Sequence, residues 1–142
     1  MNTRDDNSAI NDFLASWSDT ATQTRKTFLE LKDHLTAKPE TVFDFLPRPG
    51  VSYSLRFKHR DQSLRPMFAM IDIIDDDPEN RWLSVCFYND MITDPDEKGD
   101  YVPEGLLGED ACCFDIEDRD ESLNRYVCDR LDEAMANASL PK

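Results

Sequence analysis

The sequence predicts a two-layer α+β fold, in which an antiparallel sheet of four to five strands carries an N-terminal and a C-terminal helix on one face. Apolar residues recur at helical spacing near both ends of the chain, while the middle holds short β-prone runs separated by turn sequences. One of these runs alternates strictly between apolar and polar residues. Such alternation is typical of a strand with one buried and one solvated face, and therefore of an antiparallel sheet.

The N-terminal region predicts two helices. An apolar stripe, with spacings of four and three residues in turn, comprises Ile10, Leu14, Trp17, Ala21, Thr24, Phe28, Leu31 and Leu35. Ser18, Asp19 and Thr20 interrupt it and suit a helix start, so we predict a short helix near 8–16 and a second near 20–37, before Pro39. One continuous helix is the alternative. Packing of the stripe on the sheet is favoured over a coiled-coil seam between two copies.

The central strands follow in order. Residues 42–46 form a short strand candidate that the turn sequence 47–50 closes. In the next strand, inward residues Val51, Tyr53, Leu55, Phe57 and His59 alternate with outward residues Ser52, Ser54, Arg56 and Lys58. Residues 67–74 are nearly all apolar, which predicts a strand covered on both faces. Another strand is predicted over 82–88, after a turn at 75–80.

The C-terminal part predicts a long loop, a strand and a helix. Residues 89–110 contain several Pro and Gly and are predicted to form an ordered loop of a length that is often functional. Residues 111–116 predict the last strand, with Cys112, Phe114 and Ile116 inward. Residues 118–121 resemble a capping box for a final helix. We divide the chain into a partly helical or mobile segment, 1–19, and a single α+β domain, 20–140.

The charge balance limits the function classes. The chain has 30 acidic and 16 basic residues, a formal net charge of −14, which repels nucleic acid and anionic membrane surfaces. Nucleic acid is therefore an unfavoured partner, and no membrane association is expected. The charge is unevenly spread, and 48–65 is a basic stretch with five basic residues and one acid. Because no apolar run approaches ~18 residues and no signal sequence is visible, we expect a cytoplasmic protein with all four cysteines reduced.

The nearest match to a metal site lies in the 89–110 loop. Asp94, Asp96 and Asp100 match the first, third and seventh positions of a helix–loop–helix calcium loop. Lys98 occupies a position that needs an oxygen ligand, however, and Gly105 stands where the loop needs Glu. We therefore predict neither a metal ion nor a cofactor.

Catalytic patterns are incomplete. Cys112 and Cys113 are neighbours on a strand, so their side chains face opposite sides and cannot both join one metal or redox centre; structural thiols are the favoured interpretation. His59 could be a general base at a strand end, but no nucleophile, phosphate loop or dinucleotide fingerprint accompanies it. We predict no catalytic residues.

The sheet face away from the helices carries the strongest functional suggestion. Alternation places Arg56 and Lys58 on this face, together with Trp82 and Tyr88 of the 82–88 strand. Trp, Tyr and Arg are enriched at binding hot spots. Either the N-terminal segment or the 89–110 loop covers this face, or a partner or second copy does, or it binds a small ligand or RNA. In each case Trp82 and Tyr88 should be shielded from water.

These observations lead to a functional hypothesis. We expect a small acidic binding or interaction module without catalytic activity, whose partner is another protein or a second copy of the chain. The alternative is an enzyme or small-ligand-binding domain with a cleft between the 89–110 loop and the sheet edge near His59.

Overall fold

A computed structural model describes residues 3–139, with side chains from residue 7 onward. Residues 1–2 of the predicted N-terminal segment and residue 140 of the predicted domain lie outside the described residues. In chain order the elements are α1 (Thr3–Ser16), α2 (Thr24–Thr36), β1 (Thr41–Arg48), β2 (Ser52–His59), β3 (Ala69–Ile74), β4 (Trp82–Tyr88), a 3-10 turn (Asn89–Met91), β5 (Asp100–Leu106), β6 (Glu109–Ile116) and α3 (Glu121–Ala138).

The six strands form one antiparallel sheet with the order β1-β2-β3-β4-β6-β5. The predicted α+β class is confirmed, but four to five strands were too few, because β5 lies inside the predicted 89–110 loop. Its sequence contains Pro103 and Gly105, which count against a strand. β5 tolerates them because it is an edge strand whose pairing with β6 shifts register between Val102 and Leu106.

Strand register divides the sheet into two faces. One row runs across five strands on the inner face, and all its members are buried: Phe45, Leu55, Ile71, Val85 and Phe114. The predicted inward positions of β2 are buried or half-buried, from Tyr53 to His59. Val51 is an exception, because it lies in the turn before β2 and is 54% exposed.

The N-terminal region forms two helices rather than one. Residues 17–23 separate them, and Gln23 adopts a left-handed backbone with φ 56°. α2 begins at Thr24, four residues later than the predicted start near residue 20. The Asp19 carboxylate accepts the backbone N–H groups of Arg25 and Lys26 from outside the helix, at 3.2 and 3.1 Å.

All three helices pack on the inner face. The Phe13 ring of α1 stacks on Tyr53 with centroids 4.0 Å apart, and Tyr126 of α3 contacts Phe114 at 6.0 Å. Thr24 of α2 donates a hydrogen bond to the carbonyl of Arg81. The apolar stripe residues are buried here, apart from the exposed Ala21, as expected for packing on the sheet. α3 is capped by Asp120, not by the predicted Asp118.

Candidate binding site on the outer sheet face

The sheet face opposite the helices, called the outer face below, carries the four residues that the sequence singled out. Register places Arg56 and Lys58 of β2 there, with Trp82 and Tyr88 of β4. The four side chains differ in their exposure to solvent. Trp82, Arg56 and Lys58 are half-buried, whereas Tyr88 is only 1% exposed.

The chain itself covers Tyr88, so the predicted shielding is confirmed for this residue, whereas Trp82, which was predicted to be shielded as well, is only half-buried. The guanidinium of Arg65 lies 4.3 Å from the ring centroid, held by Asp90 at 2.6 Å and Glu109 at 2.7 Å. Burial raises the pKa of Tyr88 above its usual value, and the nearby charge of Glu109 adds to this. Tyr88 is therefore a covered residue rather than a contact residue of the outer face.

The turn between β5 and β6 folds back over the outer face. Leu106 at this turn is 1% exposed, and residues 105–107 share a cleft of about 460 Å³ with residues of β1, β2 and β3. The full lining comprises Phe45, Leu46, Pro47, Arg48, Ser54, Arg56, Met70, Gly105, Leu106 and Leu107. Part of the predicted 89–110 loop thus covers part of this face and forms one wall of a cleft, which we call the outer cleft.

The outer cleft combines cationic and apolar groups. Arg48 donates a hydrogen bond to the Ser52 hydroxyl at 2.9 Å. The Arg56 guanidinium makes no hydrogen bond or ion pair within residues 7–139, and its Nε atom is buried. Two apolar side chains at the cleft remain exposed, Leu46 by 37% and Leu107 by 54%. The site can therefore present positive charge beside aliphatic surface.

Two acids lie close to these arginines: Asp44 of β1 is directly opposite Arg56 in the strand register, and Asp72 lies on β3. Asp72 on β3 accepts a hydrogen bond from Ser54. Burial raises the pKa of Asp72, and the Ser54 hydrogen bond and the charges of Arg48 and Arg56 only partly offset this. Asp72 is not among the lining residues, and it forms no ion pair with either arginine in the described chain.

Sequence reasoning missed Arg48 and Leu107 as site residues. Arg48 was assigned to the turn sequence 47–50, although the outward alternation of Val42, Asp44 and Leu46 continues to it. That continuation was an available signal. Leu107 offered none, because only the folded turn brings it to β1 and β2.

In the predicted calcium-loop candidate, the first carboxylate is engaged in hydrogen bonds within the protein. The Asp94 carboxylate accepts the N–H groups of Lys98 and Gly99, at 3.0 and 2.9 Å, and the Tyr126 hydroxyl. Burial opposes ionisation, but these hydrogen bonds hold the pKa of Asp94 below its usual value. With Asp96 and Asp100 included, the described part of the chain contains no group of three or more His, Cys, Asp or Glu placed to hold a metal.

Two of the four cysteines are joined, so the prediction of four reduced thiols is wrong. Cys86 of β4 and Cys113 of β6 are directly opposite on the outer face, with Cα atoms 4.1 Å apart, and form a disulfide. The sequence hid this pairing, because the two residues are 27 positions apart and only strand register opposes them. Cys112 is free and buried, on the inner face as alternation predicted. The cytoplasmic location stays a prediction, without the support of four free thiols.

A second cleft, of about 590 Å³, lies between the loop 61–65, residues Asp90 and Met91, Glu109 and the end of α3. It lies near His59, where the sequence suggested an enzyme cleft, but His59 does not line it. His59 is buried, and its Nδ1 accepts the N–H of Asp61 at 3.1 Å. The other histidine, His34, pairs with Asp132 at 2.8 Å. Both histidines are thus engaged in structural contacts.

Comparison with known proteins adds no relative: no protein-family model matches the chain, and neither curated proteins nor solved structures give a significant match. No helix in the described residues is long and apolar enough to cross a membrane.

Proposed function

We propose that the chain is a binding module without catalytic activity and that its outer face docks a partner protein. One observation carries the proposal: the three cations of this face, Arg48, Arg56 and Lys58, make no ion pair within the described chain. Several cations elsewhere in the described chain also lack an ion pair, but these three lie together on one sheet face of a chain with net charge −14. Arg65, Arg81 and Arg119, by contrast, each hold a carboxylate.

Unpaired cations beside exposed aliphatic groups favour an acidic partner. Arg is enriched at interface hot spots, and charge complementarity accelerates association and selects the partner. Leu46 and Leu107 supply apolar area that a partner would remove from water. A catalytic function has less support, because His34 and His59 are both engaged in structural contacts.

The test compares two double variants of equal charge change. Arg56→Gln with Lys58→Gln alters the outer face, whereas Lys26→Gln with Arg125→Gln removes two exposed cations from the helices. Both proteins would be immobilised beside wild type and exposed to extract from the source cells, and the retained proteins quantified by mass spectrometry. We expect specific loss from the outer-face variant only. Equal retention by both variants would contradict the proposal.

A second copy of the chain is the other occupant to test. Sedimentation velocity should show a monomer at low salt, because a net charge of −14 opposes self-association. A dimer that the outer-face double variant dissociates would assign the face to self-association instead of an acidic partner.

A further inference from the structure

The outer cleft has the geometry of a pocket for one end of a ligand rather than of a closed cavity. Arg48 and Arg56 lie on neighbouring strands, and the fold-back of residues 105–107 brings Leu107 to the same cleft. Closed small-molecule sites bury most of their ligand. Here Leu46 and Leu107 stay 37% and 54% exposed, so the cleft suits a segment that continues beyond it.

The turn that forms one wall is held in place by its own contacts. The Asp110 carboxylate accepts the Tyr101 hydroxyl at 2.7 Å and the N–H of Glu104 at 3.1 Å. Gly105 has no room for a side chain, because a Cβ there would lie 2.5 Å from Val102 Cγ1. Leu107 has φ 51°, a conformation that costs a branched aliphatic residue strain. The wall therefore exists before any ligand binds.

The charges of the cleft select the ligand group. The lining residues include two arginines and no carboxylate, and the buried Nε of Arg56 lacks a hydrogen-bond partner among the residues described. The terminal nitrogens of Arg56, unlike Nε, are accessible and make no hydrogen bond within the described residues, and a carboxylate is the group that a guanidinium binds best. The aliphatic parts of Leu46, Met70 and Leu107 would contact the apolar portion of the same ligand.

We infer that the outer cleft binds an extended peptide segment of a partner, in which an acidic residue lies next to a leucine-like side chain. This rests on the proposed docking function and specifies its chemistry. The carboxylate would accept hydrogen bonds from Arg56 and Arg48, and the aliphatic side chain would pack between Leu46 and Leu107.

The direct test titrates the full chain with acetyl-Ala-Leu-Asp-Leu-Ala-amide and follows backbone amide shifts by NMR. We expect shifts centred on residues 46–48, 54–56 and 105–107, with an affinity of about 1 mM for so short a peptide. The same peptide with Asn in place of Asp should bind about tenfold more weakly. Equal binding of the two peptides, or shifts confined to the cleft near Asp61, would overturn the inference.

Three variants locate the contacts. Arg56→Gln should weaken binding of the Asp peptide about tenfold, and Arg48→Gln, at an exposed position, gives the same test if Arg56→Gln unfolds. Leu107→Asn removes the aliphatic group while keeping a residue that tolerates positive φ, and it should also weaken binding. Arg125→Gln is the matched control, at an exposed position of α3 away from the outer face, and should leave the affinity within about twofold.

Sodium octanoate distinguishes a free amphipathic acid from a peptide. If octanoate shifts the same amides and the peptide does not, the cleft is a small-acid site and the peptide inference is wrong. If neither probe binds but the outer-face double variant loses a captured protein, the docking function stands and only its assignment to the cleft fails. If the Asp peptide binds but the outer-face double variant loses no captured protein, the cleft assignment stands and the proposed docking function fails.

Discussion

Asp75 and Arg81 form an ion pair that is almost completely buried, with side chains 4% and 12% exposed. Arg81 Nε donates to Asp75 at 2.7 Å, and the second carboxylate oxygen accepts the N–H of Gly50 at 2.8 Å. The guanidinium also lies 5.0 Å from the ring centroid of Phe13. This single pair therefore joins the β1–β2 turn, the β3–β4 turn and α1.

Replacement of Arg81 by Met should destabilise the fold strongly. The variant leaves Asp75 buried without its cation, a change that typically costs about 3–5 kcal/mol of unfolding free energy. Urea denaturation at pH 7 measures it, with Arg125→Met as the control at an exposed helix position, where a change within about 0.5 kcal/mol is expected. A loss below about 1 kcal/mol at Arg81 would mean that Asp75 gains another partner or water.

The pH dependence identifies the mechanism of that loss. In wild type, burial opposes ionisation, but the hydrogen bonds from Arg81 and Gly50 hold the pKa of Asp75 below its usual value. Its contribution is thus present above the unfolded pKa of about 3.9 and is lost as the pH falls through the folded value. Without Arg81, only the hydrogen bond from Gly50 opposes the effect of burial, and we expect that pKa to rise. The deficit of the variant should therefore be larger at pH 7 than at pH 4.

At the residue scale, the sheet face on which a side chain lies was predictable from the sequence, but the groups that it contacts were not. Alternation alone placed Arg56, Lys58, Trp82 and Tyr88 on the outer face. It could not show that Arg65 covers Tyr88, because residues 65 and 88 meet only through the path of the loop after β2. It also could not show that Arg56 lacks an ionic partner within the described chain.

At the element scale, the segment 89–110 shows what local sequence cannot reveal. Its first part is tied to α3, since Thr93 bonds Glu133 and Asn137 donates to the carbonyl of Met91. Its second part is β5 and the turn that covers the outer face. The Pro and Gly content of the sequence predicted an ordered loop. The contacts that order it join residues up to 46 positions apart, so local sequence could not reveal them.

The disulfide between β4 and β6 gives a prediction at this scale. Thiol titration of the denatured, non-reduced protein should find two groups, Cys112 and Cys128, rather than four. Reduction should lower the unfolding free energy by about 3.5 kcal/mol, because the bond closes a loop of 27 residues in sequence and restricts the unfolded chain. Chemical denaturation with and without dithiothreitol measures this loss.

The control for the disulfide is a variant that cannot form it. The stability of Cys86→Ser should not respond to dithiothreitol, whereas Cys112→Ser should respond as wild type does. Four titratable thiols in freshly purified protein would show that the pair is a reduced contact and would restore the original expectation of free cysteines.

At the scale of the whole molecule, periodicity identified the fold class, because period-2 and helical patterns each bury one face against the other layer. The number of strands and the position of the site depended instead on β5 and on the turn that joins it to β6. The outer cleft is built from residues 45–48 and 105–107, which belong to opposite edges of the sheet in strand order. No local pattern reports that β5 and its turn curl back toward β1.

The net charge of −14 also acts on the whole molecule and leads to the last prediction. Like charges repel more strongly in the compact state, so screening should stabilise the fold. Raising NaCl from about 10 to about 150 mM shortens the screening length from about 30 to about 8 Å. We therefore expect the unfolding free energy at pH 7 to increase with salt, as measured by urea denaturation.

A variant with fewer acids tests this explanation. Glu117→Gln, Asp118→Asn and Asp129→Asn together remove three exposed charges that form no ion pair within the described residues. The variant should be more stable than wild type at low salt and should gain less from added salt, since its net charge is −11, from −14 plus three. If salt instead destabilises wild type, the buried and clustered ion pairs around Arg65, Arg81 and Arg119 outweigh the global repulsion. In that case the acidic surface would not lower the unfolding free energy, and its acidity would have to be explained by solubility or by a binding partner.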